Sequence, residues 1–236
     1  YIHDDLERMV DEKIAELNLG VNFRYVFHGD IGSTVTPGRP YPYGHDSTDV
    51  FSIVMASRFS QYQKRQDILV RAISMLDSSR PVSVKLVGDG ATRAPIQAMI
   101  DSLDLRDRVA IVPFLPQKDL WKLMLDSHLM CHVSEWEGLG KIIIESMALG
   151  LPVLASNVRP LNRYIVEGVN GFLVENHPAA WARKIEELIA DEGARAAVSS
   201  ASIEYIRSYY DPSRNVTTYE KHFEHLVAQQ ISPSRE

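Results

Sequence analysis

HLMCHVSEWEGLGKIIIESMALGLPVLAS, residues His128–Ser156, runs through four textures in 29 positions. An apolar run (128–133) is followed by a loop broken by Gly138 and Gly140. A stretch with apolar residues at three- and four-residue spacing (140–149) comes next, then a second apolar run (152–155). Short apolar runs predict strands buried on both faces, and the stretch between them predicts a helix, so the segment reads as one strand–helix–strand unit of a parallel sheet. Gly150 marks the helix end.

The same alternation extends in both directions. Further strands are expected at 50–56, 82–87, 108–112 and 171–174. Helices are expected at 65–78, 91–103 and 117–126, with a short one at 160–167 and closing helices at 178–191, 193–208 and 213–230. Ile68, Leu69, Ala72, Ile73 and Leu76 show the helical period clearly. Strands alternating with helices imply an α/β, doubly wound, Rossmann-like parallel sheet. Upstream, 4–17 reads as a helix and 22–28 as a strand. Between 29 and 49, Gly29, Gly32, Pro37, Gly38, Pro40, Pro42 and Gly44 break any regular period, as a linker does.

Composition narrows the function. With 45% hydrophobic and 24% charged residues the chain can bury a substantial core, and a formal net charge of -6 gives no electrostatic reason to expect nucleic acid. The one cysteine, Cys131, sits in an apolar run and cannot make an internal disulfide, which suits a reducing compartment. No apolar run approaches the ~20 residues of a membrane span. The eight histidines form no metal-ligand set: His128 and His132 fall on one strand face, where burial or hydrogen bonding accounts for them, and His222 and His225 lack companion ligands.

In an open α/β sheet, ligands bind at the carboxyl ends of the strands, near the point where strand order reverses. The strand-end loops therefore carry the candidate site. In the loop after 128–133, Glu137 and Glu145 stand as an E-x7-E pair around Gly138, Leu139 and Gly140. The glycines let a ligand approach the backbone, and the helix start presents unpaired N–H groups suited to phosphate. A carboxylate at Glu145 is a strong acceptor for a vicinal diol such as a ribose, and Glu137 is placed to accept from sugar hydroxyls. After the first strand, Arg58 and Lys64 offer positive charge for a diphosphate. Weaker signals are Leu86–Gly90, with Gly88 at the strand end, and Val112–Pro116, with Phe114 and Leu115, which packing alone would also explain. Trp121, Trp136 and Trp181 read as packing residues, with Trp136 also in reach of a ligand beside Glu137.

The stretch EGLGKIIIESMALGLPV resembles the E-x7-E region of the retaining glycosyltransferases of family 4, which have the GT-B architecture. SRFSQYQKRQD resembles that family's Arg…Lys-Gly diphosphate site, with Arg65 standing where glycine is usual. The resemblance covers about residues 50–230 and implies specific roles. Glu145 would hold the ribose and Glu137, the catalytic candidate, would lie at the donor sugar. Gly138, Leu139 and Gly140 would lie near sugar and phosphates, Arg58 and Lys64 on the diphosphate, and Phe114–Leu115 at the base, with Gly88 in the donor site. It implies a nucleoside-diphosphate sugar donor, UDP or GDP, an acceptor hydroxyl on a sugar or lipid-linked molecule, and neither cofactor nor metal. Residues 1–32 would be the tail of an N-terminal acceptor domain and 33–49 the linker, with most of that domain missing. The expected setting is the cytoplasm, with attachment at the inner membrane face through the missing domain left open. The family's Gly-Gly with Pro and Glu is replaced here by Val158–Arg163, which leaves the sugar unassigned. A non-catalytic nucleotide-sugar-binding module and a nucleotide-sugar epimerase-like protein are the alternatives.

Overall fold

A computed structural model describes residues 50–60 and 62–210, with positions 217, 220, 221 and 224. The expected upstream helix, strand and linker, and most of the last helix, lie outside the described residues. The chain divides into two compact units, Val35–Ile206 and a second made of Tyr1–Thr34 with Arg207–Glu236. The candidate site belongs to the first.

That unit carries six parallel strands: β1 (Phe51–Ala56), β2 (Val82–Val87), β3 (Val109–Val112), β4 (Leu129–His132), β5 (Val153–Ser156) and β6 (Phe172–Val174). Between and after them come α1 (Gln66–Met75), α2 (Arg93–Ser102), α3 (Gln117–Leu125), α4 (Lys141–Leu149), α5 (Leu161–Tyr164), α6 (Pro178–Ala190) and α7 (Glu192–Tyr209). The sheet order is β3-β2-β1-β4-β5-β6. Strand order reverses between β1 and β4, so this is the doubly wound Rossmann-like arrangement. β1 is the hinge of that order. It pairs with β2 along its whole length, Phe51 opposite Val82 through Ala56 opposite Val87, and with β4 at Ile53–Leu129 and Val54–Met130.

The apolar runs explain the layers. All four β4 residues and all four β5 residues are buried, as central strands covered on both faces must be. On one face the α1 stripe of Ile68, Leu69, Ala72 and Ile73 joins Trp181, Ile185 and Leu188 of α6 and the strand residues Ile53, Met55, Val84 and Leu86 in one core. Each fully buried side chain of this size contributes about 1.5–3 kcal/mol relative to exposure. Helix ends follow local chemistry. α6 begins with Pro178 at its first turn, where a missing N–H costs nothing. α4 ends on Gly150 at φ 76°, with Gly150 N–H bonded to Met147 O and Leu151 N–H to Ser146 O. That paired closure needs a left-handed residue, hence the glycine.

The helix expected at 160–167 is shorter, only the four residues of α5. α1 likewise stops at Met75, short of the expected 78, because Leu76 turns to extended geometry.

Candidate donor site at the strand-order reversal

The loops leaving β1 and β4 run side by side because their strands are neighbours. Glu135 N–H donates to Gln63 O at 2.9 Å, Arg65 N–H donates to Val133 O at 3.1 Å, and Lys64 forms a bridge pair with Ser134. This brings two sequence-distant candidates together. Lys64 Nζ and Glu137 Oε1 form an ion pair, with side chains only 12% and 8% exposed. His132, at the last position of β4, places Nε2 2.5 Å from Glu137 Oε1 and 3.3 Å from Lys64 Nζ. Burial pushes the Lys64 ammonium down from its usual 10.5 to about 8, against the pull of the Glu137 carboxylate. Burial, and then the neighbouring Lys64 charge, push His132 down to about 3, so its ring is neutral.

Arg65, which stands where the resembled family has glycine, is tied down. It forks onto both oxygens of Asp67 at 2.8 Å and reaches Glu135. The hydrogen bonds it donates to Asp67 chiefly hold its guanidinium above its ordinary value. Arg58 is exposed on the same loop, while its backbone carbonyl accepts from Gln66 Nε2 at 3.1 Å. The two cations proposed for a diphosphate thus differ: Lys64 is already paired and Arg58 faces solvent. A cleft of about 480 Å³ opens beside Lys64, lined by Tyr62, Arg65, Gln66, Thr92 and Glu135 among others; Arg58, Glu137 and the glycine loop do not line it.

The glycine loop is built from both sides. Gly140 precedes α4 at φ 69° and ψ 52°, and a Cβ there would lie 3.0 Å from Ile143 Cδ1 and from Tyr164 Oη. Its glycine is explained by the protein itself. Gly138 is different, since a Cβ there would meet nothing within 4 Å. No neighbour among the described residues requires a glycine at 138. The half-buried Leu139 offers its carbonyl to Tyr164 Oη, which donates at 2.6 Å. The Val158–Arg163 segment that departs from the family pattern thus leads into α5, whose Tyr164 braces the glycine loop.

Glu145 lies on α4 and is 5% exposed. Trp121 Nε1 donates to its Oε2 at 2.9 Å and Gln117 Nε2 to its Oε1 at 3.3 Å. Lys141, one turn earlier, is 3.9 Å away. Trp121, expected to serve packing alone, instead holds a candidate site carboxylate. Phe114 is 78% exposed, which removes core packing as its explanation, and Leu115 is half-buried. Gly88 has φ 140°, and a Cβ there would lie 2.2 Å from Ser57 O, so its glycine lets the β2 loop close on the β1 loop. Trp136 is 49% exposed, so core packing does not explain it either.

Two further groups were not singled out by the sequence. Ser134 N–H donates to Ser156 Oγ at 2.9 Å, Ser156 Oγ donates to Asn176 Oδ1 at 2.5 Å, and Asn176 Nδ2 returns to Ser134 O at 2.9 Å. This closed ring fixes the base of the Glu137 loop. The other is His132, whose signal was its place at a strand's carboxyl end, five residues before Glu137. His128 on the same strand is structural: its Nδ1 accepts from Ser52 N–H at 3.0 Å and its ring stacks on Phe51. No group of three His, Cys, Asp or Glu side chains suited to a metal occurs among the described residues, and no described helix is long and apolar enough to cross a membrane.

A parallel sheet of this order sets the glycine loop and Glu137 at its reversal point, the place where open α/β sheets bind their ligands. The chain belongs to the family described as glycosyl transferases group 1, whose profile matches residues 44–205. It is similar to D-inositol 3-phosphate glycosyltransferase of Xylanimonas cellulosilytica, 32% identical over 64% of this chain and 36% of that protein. It is similar to N-acetyl-α-D-glucosaminyl L-malate synthase of Bacillus anthracis, 27% identical over 71% of this chain and 44% of that one. Among solved structures it resembles Anabaena HepE in complex with UDP-glucose, at 28% identity and TM-score 0.67, over 76% of this chain and 49% of that one. The chain therefore spans less than half the length of these relatives.

Proposed function

We propose that this chain is the donor-binding half of a retaining glycosyltransferase that takes a nucleoside-diphosphate sugar and hands the sugar to an acceptor hydroxyl. The observation that carries this reading is the convergence of Lys64, Glu137 and the Gly138–Gly140 loop at the reversal between β1 and β4, with open space above Gly138. A diphosphate laid there meets the α4 start and the Lys64 and Arg58 cations, which offset the charge that grows on a leaving phosphate. That reading needs no metal. Glu145, held by Trp121 and Gln117, is the acceptor for the ribose diol, and Phe114 with Leu115 lies where the base would be read.

The binding of UDP-glucose by HepE supports a uridine donor. Retention follows from the family resemblance: acceptor attack on the face the diphosphate leaves, with the leaving phosphate taking the acceptor's proton. The family resemblance implies that a second domain would present the acceptor.

A thermal-shift panel of UDP-, GDP- and ADP-sugars tests the assignment. One nucleotide series should raise the melting temperature, because binding stabilises the fold by RT ln(1 + [L]/Kd), about 2.7 kcal/mol at a hundredfold excess over Kd. No response to any of them contradicts it.

A further inference from the structure

Glu137 Oε1 carries two partners at once, Lys64 Nζ and His132 Nε2. A carboxylate oxygen 2.5 Å from an imidazole nitrogen requires a proton between them. The ring is neutral and wholly buried, so Nε2 carries that proton and donates it to Glu137. Nδ1 is then the bare nitrogen, and it is buried with no partner among the described residues. The opposite tautomer would set a lone pair against a carboxylate and strand a buried N–H as well.

This geometry bears on how the donor could enter. The donor-site reading asks Lys64 to contact phosphate, yet Lys64 is held by Glu137. Drawing the ammonium away would leave Glu137, 7% exposed, as a buried charge without its counter-ion. Breaking a buried pair in that way is far more costly than breaking an exposed one. A second donor already bound to the same oxygen removes the obstacle.

We infer that His132 is a positioning residue that makes Lys64 exchangeable: it holds Glu137 through Nε2–H while Lys64 moves from the carboxylate to the diphosphate. The inference rests on the donor-site reading. No proton is transferred and no covalent bond changes. One hydrogen bond persists and one ion pair is traded for another. A charged donor in place of His132 would not serve, because a second cation would sit beside Lys64 at 3.3 Å. His132 also leaves Glu137 Oε2 uncommitted among the described residues, available to a sugar hydroxyl.

The test is calorimetric titration of the whole chain with UDP, and in parallel GDP and ADP, against the matching nucleosides. His132→Leu should weaken diphosphate binding about tenfold or more, a difference of roughly 1.4 kcal/mol, and leave nucleoside binding unchanged. His132→Gln, which keeps an N–H near the place of Nε2, should stay within about threefold of the unaltered chain. In a Glu137→Gln background, adding His132→Leu should change diphosphate affinity by no more than about threefold, since no carboxylate is left to strand. Equal losses in both backgrounds would show that His132 acts through packing and would overturn the inference, as would full affinity in His132→Leu alone. The ¹⁵N spectrum of the ring supplies a readout without ligand: His132 should be the Nε2–H tautomer, with that signal displaced by Glu137→Gln and retained when UDP is added. If the spectrum holds and none of UDP, GDP and ADP binds the unaltered chain, the donor-site reading falls and the exchange with it. If nucleotide binds and the spectrum shows the other tautomer, the exchange alone is overturned.

Discussion

Trp121 Nε1 donates to Glu145 Oε2 at 2.9 Å, tying the helix after β3 to the helix after β4. Glu145 is nearly buried, so its charge depends on such donors. Trp121, with Gln117 of the same helix, therefore sets the orientation of the carboxylate proposed for the ribose through neutral donors.

Trp121→Phe keeps most of the apolar body and removes the donor. Leaving a buried acceptor unsatisfied costs about 1–3 kcal/mol, more for a charged one, so urea denaturation should show a loss of at least that order. Nucleotide affinity should fall in the same variant because Glu145 is no longer held. Unchanged stability and affinity would mean that Gln117 and Lys141 suffice.

The two loop glycines should separate fold from ligand. Gly140→Ala forces a side chain into left-handed geometry at φ 69° and onto Ile143 and Tyr164, so it should cost about 1–3 kcal/mol of stability. Gly138→Ala meets nothing within 4 Å and should unfold at the same urea concentration as the unaltered chain. It should nonetheless weaken sugar-nucleotide binding, because the space it fills is the space proposed for the ligand. Denaturation midpoints beside titration of the same preparations give both readings. Full affinity in a stable Gly138→Ala would move the ligand off this loop.

Lys64 should make binding pH-dependent. Its ammonium loses its proton near pH 8 in the free protein, well below the ordinary 10.5. A bound diphosphate favours the charged form and raises that value. At pH 8 binding should therefore take up roughly half a proton, and affinity should fall as pH rises through 8. Calorimetry in buffers of different ionisation enthalpy measures the uptake, and Lys64→Met should abolish it. Uptake that persists in Lys64→Met would assign the proton elsewhere.

The regular part of the fold was legible because both periods were strong. β2 and the start of α3 fall where the residues predict, and the strand at 50–56 differs by one residue. Glu145 could be placed on a helix and Glu137 in a loop from spacing alone. The Lys64–His132–Glu137 contact could not. It spans 68 residues between Lys64 and His132 and exists because β1 pairs with β4, a fact of strand order that no local pattern encodes. Alternation put His132 on a buried strand face, and burial made it look like core. Trp121 was hidden in the same way: an indole at helical spacing reads as packing until its N–H is seen to reach Glu145. The Ser134–Ser156–Asn176 ring joins three strand ends, and serines and asparagines in loops carry no signal of such a partnership. Cys131 was legible as a small buried hydrophobe, and burial holds its thiol well above its ordinary value.

The central claim is that a nucleoside diphosphate lies between the Arg58–Lys64 loop and Glu145. Its most direct test is calorimetric titration of the unaltered chain, Arg58→Ala and Glu145→Ala with UDP, UDP-glucose and uridine at two salt concentrations. The account predicts one site per chain. Glu145→Ala should weaken all three ligands, by about tenfold or more, since a hydrogen bond to a charged group contributes roughly 1.5–3 kcal/mol. Arg58→Ala should weaken UDP and UDP-glucose but not uridine, by a margin that shrinks at high salt as screening grows. Equal affinity of all three proteins for UDP, or equal loss of uridine and UDP in Arg58→Ala, would contradict it.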